Sequence, residues 1–452
     1  MHNNHMQTNN PQIFKDRIQL LNNRTRSDGE YVIYWMQQSR RAEDNHALEY
    51  GVKRANELNK PLLTVFVLTD FPDANARHYR FMLEGIIETA ERLRQRGIVF
   101  KILRGDPEVI IPDECKSASL LITDRGYLRI QRQWRKSIAQ SINIPMFQIE
   151  SDAVVPVESA SDKEEYAAYT IRKNIMNEFA QYLQLPQKEN VNNKREWKDA
   201  EYDIEDLLET ISMDKSVKFS IFDGGEDKAL EVLKDFMENN IEYYSELSND
   251  PGKNLQSNLS PYIHFGQISP LRIVDSALSR NADDFIEQVL VRRELALNFI
   301  YYNDNYDSLE GLPDWAKKTM REHKEDKREY DYSRKQFENS RTHDKYWNAA
   351  QREMVLTGKM HGYMRMYWGK KIIEWTDSYE KAYDIMLNLN NKYELDGRDP
   401  NGFTGVLWCF GKHDRAFRER PVLGKLRYMS RKGLERKFDM DSYIKRVNSL
   451  DK

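Results

Sequence analysis

Cysteine is nearly absent. Cys115 and Cys409 are the only two in 452 residues, which excludes a disulfide framework and a Cys-rich zinc or iron–sulfur site. No apolar run approaches the ~20 residues of a membrane-spanning helix; the longest lies near residues 62–68. The opening MHNNHMQTNN lacks the apolar core of a secretory signal and reads as the start of a mobile tail over residues 1–25. A soluble, cytoplasmic protein is the expectation. Charge of one sign is missing too, since 69 Lys and Arg face 72 Asp and Glu, so global charge does not mark a nucleic-acid binder. Also absent are H-E-x-x-H, G-x-S-x-G, G-x-x-x-x-G-K-[ST] and C-x-x-C. Metalloprotease, α/β-hydrolase and P-loop chemistries therefore lose their support.

What is present divides the chain in two. Residues 26–150 alternate short β-branched or apolar runs with helical stretches. The runs lie at 31–36, 62–69, 98–103, 120–123 and 146–149, and the helices at 44–59 and 77–96. Buried strands alternating with helices predict a doubly wound parallel sheet. After the first run comes Gln37-Gln38-Ser39-Arg40-Arg41 with no G-x-G-x-x-G, which argues against ordinary dinucleotide binding there. Residues 151–200 carry Pro156, Pro186 and polar runs, a long connection with one helix near 166–183. Residues 201–452 hold few strand candidates and many helical ones. Ser260-Pro261 and Ser269-Pro270 each read as an N-cap followed by proline at the first helical position. The fold class expected is α/β plus all-α.

Three segments carry chemistry. In LQSNLSPYIHFGQISP, residues 255–270, the hydroxyls and amides of Gln256, Ser257, Asn258 and Ser260 precede a helix start. They suit a phosphate cradle, or plain helix capping. In WNAAQREMVLTGKMHGYMRMYWGKKIIEW, residues 347–375, Trp368 and Trp375 are two helical turns apart. With Trp347, Tyr363 and Tyr367 they suit either a pathway of indoles or an aromatic core. His361, Arg365, Lys370 and Lys371 are interleaved there, costly for a plain core, and favour a pocket. The third segment, residues 389–417, sets Asn390, Asn391, Asp396, Arg398, Asp399 and Asn401 among turn residues. It can hydrogen-bond the edge of a heterocycle, or make turns only. Charge is also uneven. Residues 405–452 hold 13 Lys and Arg against 6 Asp and Glu, a net +7 that leaves −10 elsewhere. A polyanion-facing lobe and a solvated basic face both fit.

Together these segments resemble one family, the class II cyclobutane pyrimidine dimer photolyases of the photolyase/cryptochrome superfamily. The likeness runs from YWMQQSRRAEDNHALEY through ITDRGYLRIQRQWR to GKLRYMSRKGLERKFD, nearly the whole chain. The resemblance implies a Rossmann-like domain, then an all-helical domain that binds FAD and ultraviolet-damaged DNA, in a monomer. An antenna chromophore of unknown identity is possible in the first domain. It implies FAD contacts for Tyr244, Gln256, Ser257, Asn258, Leu259, Ser260 and Arg398, an Arg365–Asp396 pair beside the flavin, and Asn390 facing it. Electron-transfer tryptophans would be Trp368 (inner), Trp347 (middle) and Trp375 (outermost, the exit), with Tyr367 adjoining. Trp408 would pack against the dimer, Met366 would stand beside the flavin pocket, and Glu287 would hydrogen-bond the thymine carbonyls. Arg415, Arg427, Arg431 and Lys432 would face DNA. The sequence departs from the family at Phe417, where many relatives carry tryptophan. A flavin photoreceptor without repair activity is the alternative.

Overall fold

The computed structural model describes residues 15–195 and 201–450. Five strands are parallel: β2 (Tyr31–Trp35), β3 (Leu62–Leu68), β4 (Val99–Arg104), β5 (Ala118–Asp124) and β6 (Met146–Ile149). Their order, β6-β5-β2-β3-β4, reverses at the centre as in a doubly wound sheet. β2, β3 and β5 are buried throughout, because both faces are covered and alternation would gain nothing. On β2, Ile33 and Trp35 join the core on one face, whereas Val32 and Tyr34 join a core that continues into the helical part.

One expectation fails here. The sheet has a sixth, antiparallel strand, β1 (Ile18–Leu20), paired with β6. The tail reading of residues 1–25 therefore does not hold from residue 15 onward, and residues 1–14 lie outside the described residues. β1 carries no burial alternation, and Arg17 anchors it. Its buried guanidinium donates to the carbonyls of Glu150, Ala153 and Val154 at 2.6–3.0 Å.

The crossover helices show their punctuation. α1 (His46–Leu58) starts at Asn45, whose side chain accepts from Ala47 and Leu48 N–H, and ends at Asn59 in the left-handed conformation. α2 (Ala76–Gln95) begins with Asn75 and His78 in a reciprocal cap. At the switch point the loop after β2 closes around a carboxylate. Asp124, at the end of β5, accepts from the N–H groups of Gln37, Gln38 and Ser39 at 2.5–2.8 Å and from Tyr34 at 3.0 Å. A dinucleotide's diphosphate would need those same N–H groups, so the missing glycine motif has a structural counterpart.

Residues 151–195 start with a buried stretch, 151–157, and carry α3 (Ala168–Tyr182), and no strand follows among the described residues. Four later helices build the site: α4 (Lys345–Thr357), α5 (Gly362–Glu374), α6 (Tyr379–Tyr393) and α7 (Pro400–Cys409). The start at Ser260 is off by one position. Leu259 is the cap and Ser260 already helical. The sheet domain grips the helices through Arg77 on α2. Its guanidinium donates to the carbonyls of Lys218, Met354, Val355 and Tyr393.

Candidate active site

Between α5, α6 and α7 lies a cavity of about 190 Å³, lined among others by Arg365, Met366, Trp368, Asn390, Gly402, Gly405 and Trp408. Gly362 and Met366 are shared with a second chamber of about 540 Å³ that includes Tyr244, Gln256, Gln288 and Arg427. The α7 wall is bare backbone at Gly405. A Cβ built there would meet nothing within 4 Å, and one at Gly402 would meet only the Asn390 amide at 3.3 Å and backbone at 3.5 Å or beyond. A flat ring can therefore approach this helix more closely than a side chain would allow.

One end of the cavity is a buried charge cluster. Arg365 donates to Glu394 at 2.8 Å, to both Asp396 oxygens at 3.0 and 3.1 Å, and to the Met360 carbonyl at 3.2 Å. Burial pushes the Asp396 carboxyl up, but Arg365, Ser260 and Lys359 outweigh it and hold it below the ordinary value. Burial wins at Glu394, pushed up to about 8 against the pull of Arg365. Glu394 is the member that sequence reading missed. It follows the last turn of α6, and only the fold brings it to Arg365. Gln256 is tied to the start of α5, accepting from Gly362 N–H at 3.3 Å and from Lys359 at 3.4 Å. Ser257 and Asn258 flank it, half-buried. Leu259 is 1% exposed and packs in the core, so its side chain is no ligand. Asn390 is in the cavity wall, whereas Asn391 turns to Asp73.

Three indoles lead away from the cavity. Trp368 lines it, and its ring stacks on Trp347 at 6.3 Å between centroids and 10° between planes. Trp347 meets Trp375 at 6.4 Å. Trp375 is only 3% exposed, so it is not the surface exit. Tyr330, Tyr332 and His343 cover it at 4.8–6.4 Å. Tyr367 leaves the row, its hydroxyl donating to the Asp344 carboxylate.

The structure also reassigns several polar residues. His361 caps α5, Lys370 donates to the Cys409 carbonyl and Lys371 pairs with Glu374. Their burial is explained by structure, not by the pocket. Arg398 turns away from the cavity and donates to the Asn391 carbonyl beside His78. Glu287 does not reach the cavity. Its carboxylate is held by Arg172 at 2.6 and 2.9 Å and by Arg292 at 3.2 Å. Against burial, these two arginines hold it below the ordinary range. Gln288 lines the chamber instead. Residues 287–292 form a π-helical turn, and the extra residue per turn defeats counting by α-helical spacing.

A family model described as DNA photolyase matches residues 32–190. Over 443 residues the chain is 48% identical to the deoxyribodipyrimidine photo-lyase of Methanothermobacter thermautotrophicus, covering 97% of this chain and 99% of that one. The chain belongs to the DNA photolyase family. The deoxyribodipyrimidine photo-lyase of Arabidopsis thaliana is 42% identical over 93% of this chain and 89% of that one. Among solved structures, an archaeal photolyase from Sulfolobus tokodaii with two FAD molecules shares the fold. Its TM-score is 0.71 at 17% identity, over 92% of this chain and 89% of that one. The expectation of a photolyase-type DNA-repair enzyme is thus met at the level of family and fold.

On the outer face of this photolyase, Phe417 carries two arginines. Arg415 and Arg427 lie 5.5 and 6.0 Å from its ring. Both are exposed, as is Lys432. Arg431 pairs with Glu435 at 3.1 Å and leans on Tyr346. The photolyase also has a small cavity of about 80 Å³ at the strand ends, lined among others by Trp35, Phe66, Phe71, Trp134, Phe265, Gln38 and Arg398. No described helix is long and apolar enough to cross a membrane.

Proposed function

We propose that this enzyme splits cyclobutane pyrimidine dimers in ultraviolet-damaged DNA, with FAD held in the joined chambers between α5, α6 and α7. The observation that carries this reading is the cavity itself. Its glycine-faced wall at Gly402 and Gly405 suits a planar ring, and the Arg365–Asp396 pair and Asn390 supply charge and hydrogen bonds at its rim. Trp408 sits on the same wall as an apolar platform for a flipped base. When bound and reduced, FAD supplies on illumination the electron that opens the cyclobutane ring. The protein's residues do the rest. Arg365 and Asn390 orient the ring system, Trp408 and Met366 exclude water from the lesion, and Gln256 and Tyr244 line the way to the second chamber. Trp368, Trp347 and Trp375 form a row by which electrons from the Tyr330–Tyr332 surface reach the cavity. The aromatic walls of the sheet-end cavity suit a light-harvesting chromophore.

The test is purified, flavin-reduced protein mixed with ultraviolet-damaged oligothymidylate, in darkness and under near-ultraviolet or blue light. Recovery of the thymine absorbance only under light is the expected result. Flavin-loaded protein without recovery would move the reading to a photoreceptor. Protein unable to take up flavin would defeat it.

Arg415 and Arg427 would hold phosphates beside the pocket mouth. For Arg415→Ala, log K against log salt should flatten by about one unit of slope, the loss of one phosphate contact. Titrations of damaged duplex at several salt concentrations would show it. An unchanged slope would remove Arg415 from the interface.

A further inference from the structure

Glu287 and Gln288 are adjacent in sequence and opposite in circumstance. Glu287 has its oxygens committed to Arg172 and Arg292, and the Arg292 guanidinium lies 5.5 Å from the Trp408 ring. It acts on the pocket through those neighbours, as a positioning residue. Gln288 is exposed into the chamber that shares Met366 and Gly362 with the Trp408 cavity. No hydrogen bond to another described residue occupies its amide, so one donor group and one acceptor are free to meet a ligand.

The chemistry of the lesion matches that free amide. Each thymine of a cyclobutane dimer keeps its C4 carbonyl and its N3–H, an acceptor beside a donor. A primary amide offers a donor beside an acceptor and pairs with both without gaining or losing a proton. A carboxylate only accepts, so it meets the carbonyl only after protonation, within the range where carboxyls titrate. We propose that Gln288, not Glu287, hydrogen-bonds the pyrimidine edge of the bound lesion, and that its neutral amide makes recognition independent of pH. This rests on the reading of the enzyme as a dimer-splitting photolyase.

The experiment compares the wild type, Gln288→Ala and Gln288→Glu on an oligonucleotide with one defined thymine dimer. Lesion affinity relative to undamaged DNA, and repair per absorbed photon by reduced enzyme, are followed from pH 5 to pH 9. Wild-type preference for the lesion should be flat with pH. Gln288→Ala should lose roughly tenfold of that preference at every pH, the scale of a lost hydrogen-bonded contact. Gln288→Glu should lose about tenfold at pH 8, where its carboxyl is ionised, and recover part of the preference only toward the acid end of the range. Because the Gln288 side chain holds no described partner, the melting temperature should not move, and this checks that the variants fold. Gln288→Ala with wild-type preference would overturn the proposal. So would a carboxyl titration in the wild type that Glu287→Gln removes. Failure of the wild type to repair at any pH under light would instead defeat the dimer-splitting reading.

Discussion

Trp368→Phe is expected to slow photoreduction of the bound, oxidised flavin by roughly a hundredfold, about 2.7 kcal/mol of added barrier, while reduced enzyme repairs at nearly the wild-type rate. Trp368 is the only member of the indole row that lines the cavity, and it faces Trp347 across 6.3 Å with the rings almost parallel. Phenylalanine keeps the packing but holds electrons too tightly to act as a stepping stone. The transfer would then have to leap from Trp347 to the cavity in one stage. Absorbance of the flavin under continuous light reads the first quantity, and repair of damaged oligothymidylate by dithionite-reduced enzyme reads the second. Equal loss of both would merge the two roles that the geometry separates. Trp368 also donates to Gln351 at 2.8 Å, and the buried Gln351 amide nitrogen has no partner. Some loss of melting temperature is therefore expected alongside the kinetic effect.

Arg365→Leu is expected to abolish flavin retention and to destabilise the fold by about 3–5 kcal/mol, the cost of breaking a buried ion pair from one side. Glu394 and Asp396 are 1% and 10% exposed at the side chain, and both are bonded to the same guanidinium nitrogen. Without it, two buried carboxylates face each other, answered only at longer range by Lys359, Arg77 and Arg398 among the described residues. Arg365→Lys should recover part of the stability, because a point charge remains. It should recover less flavin, since an ammonium cannot reproduce the guanidinium's spread of donors. Thermal melts and the flavin-to-protein absorbance ratio of the purified variants would measure the two effects. A Leu variant with normal flavin content would show that the cluster only braces the fold.

The five parallel strands are legible because each is a short apolar run between helices, and their ends fall within a few residues of the expected ones. β1 is not legible. Three residues with no alternation carry no periodic signal, and the arginine that anchors them bonds to carbonyls 133–137 residues away. Within the site, aromatic spacing points to the indole row because indoles are rare and bulky. What closes its outer end comes from Tyr330, Tyr332 and His343, which no periodicity joins to Trp375. Polar residues on α5 mislead for a physical reason. Burial of Lys370 or His361 is costly only if unpaired, and a sequence does not show the carbonyl or N–H that pairs them. The loop after α6 is divided in a similar way, with Asp396 turned to Arg365 and Arg398 turned to the sheet domain. At residues 287–292 the π-helical turn breaks the spacing rule itself, which is why the acid and the amide exchange places.

Gly405 stands in the middle of α7 with empty space where a side chain would be. Glycine inside a helix costs about 1 kcal/mol relative to alanine, and here the fold gains nothing in return, because no neighbour needs the room. Folding alone would favour alanine at this position, so the bare backbone is useful only to what the cavity holds. A lineage that stopped using the cavity would be free to replace Gly405, and would become slightly more stable by doing so. The identity of that one residue in descendants of this chain is therefore a record of whether the cavity is still in use.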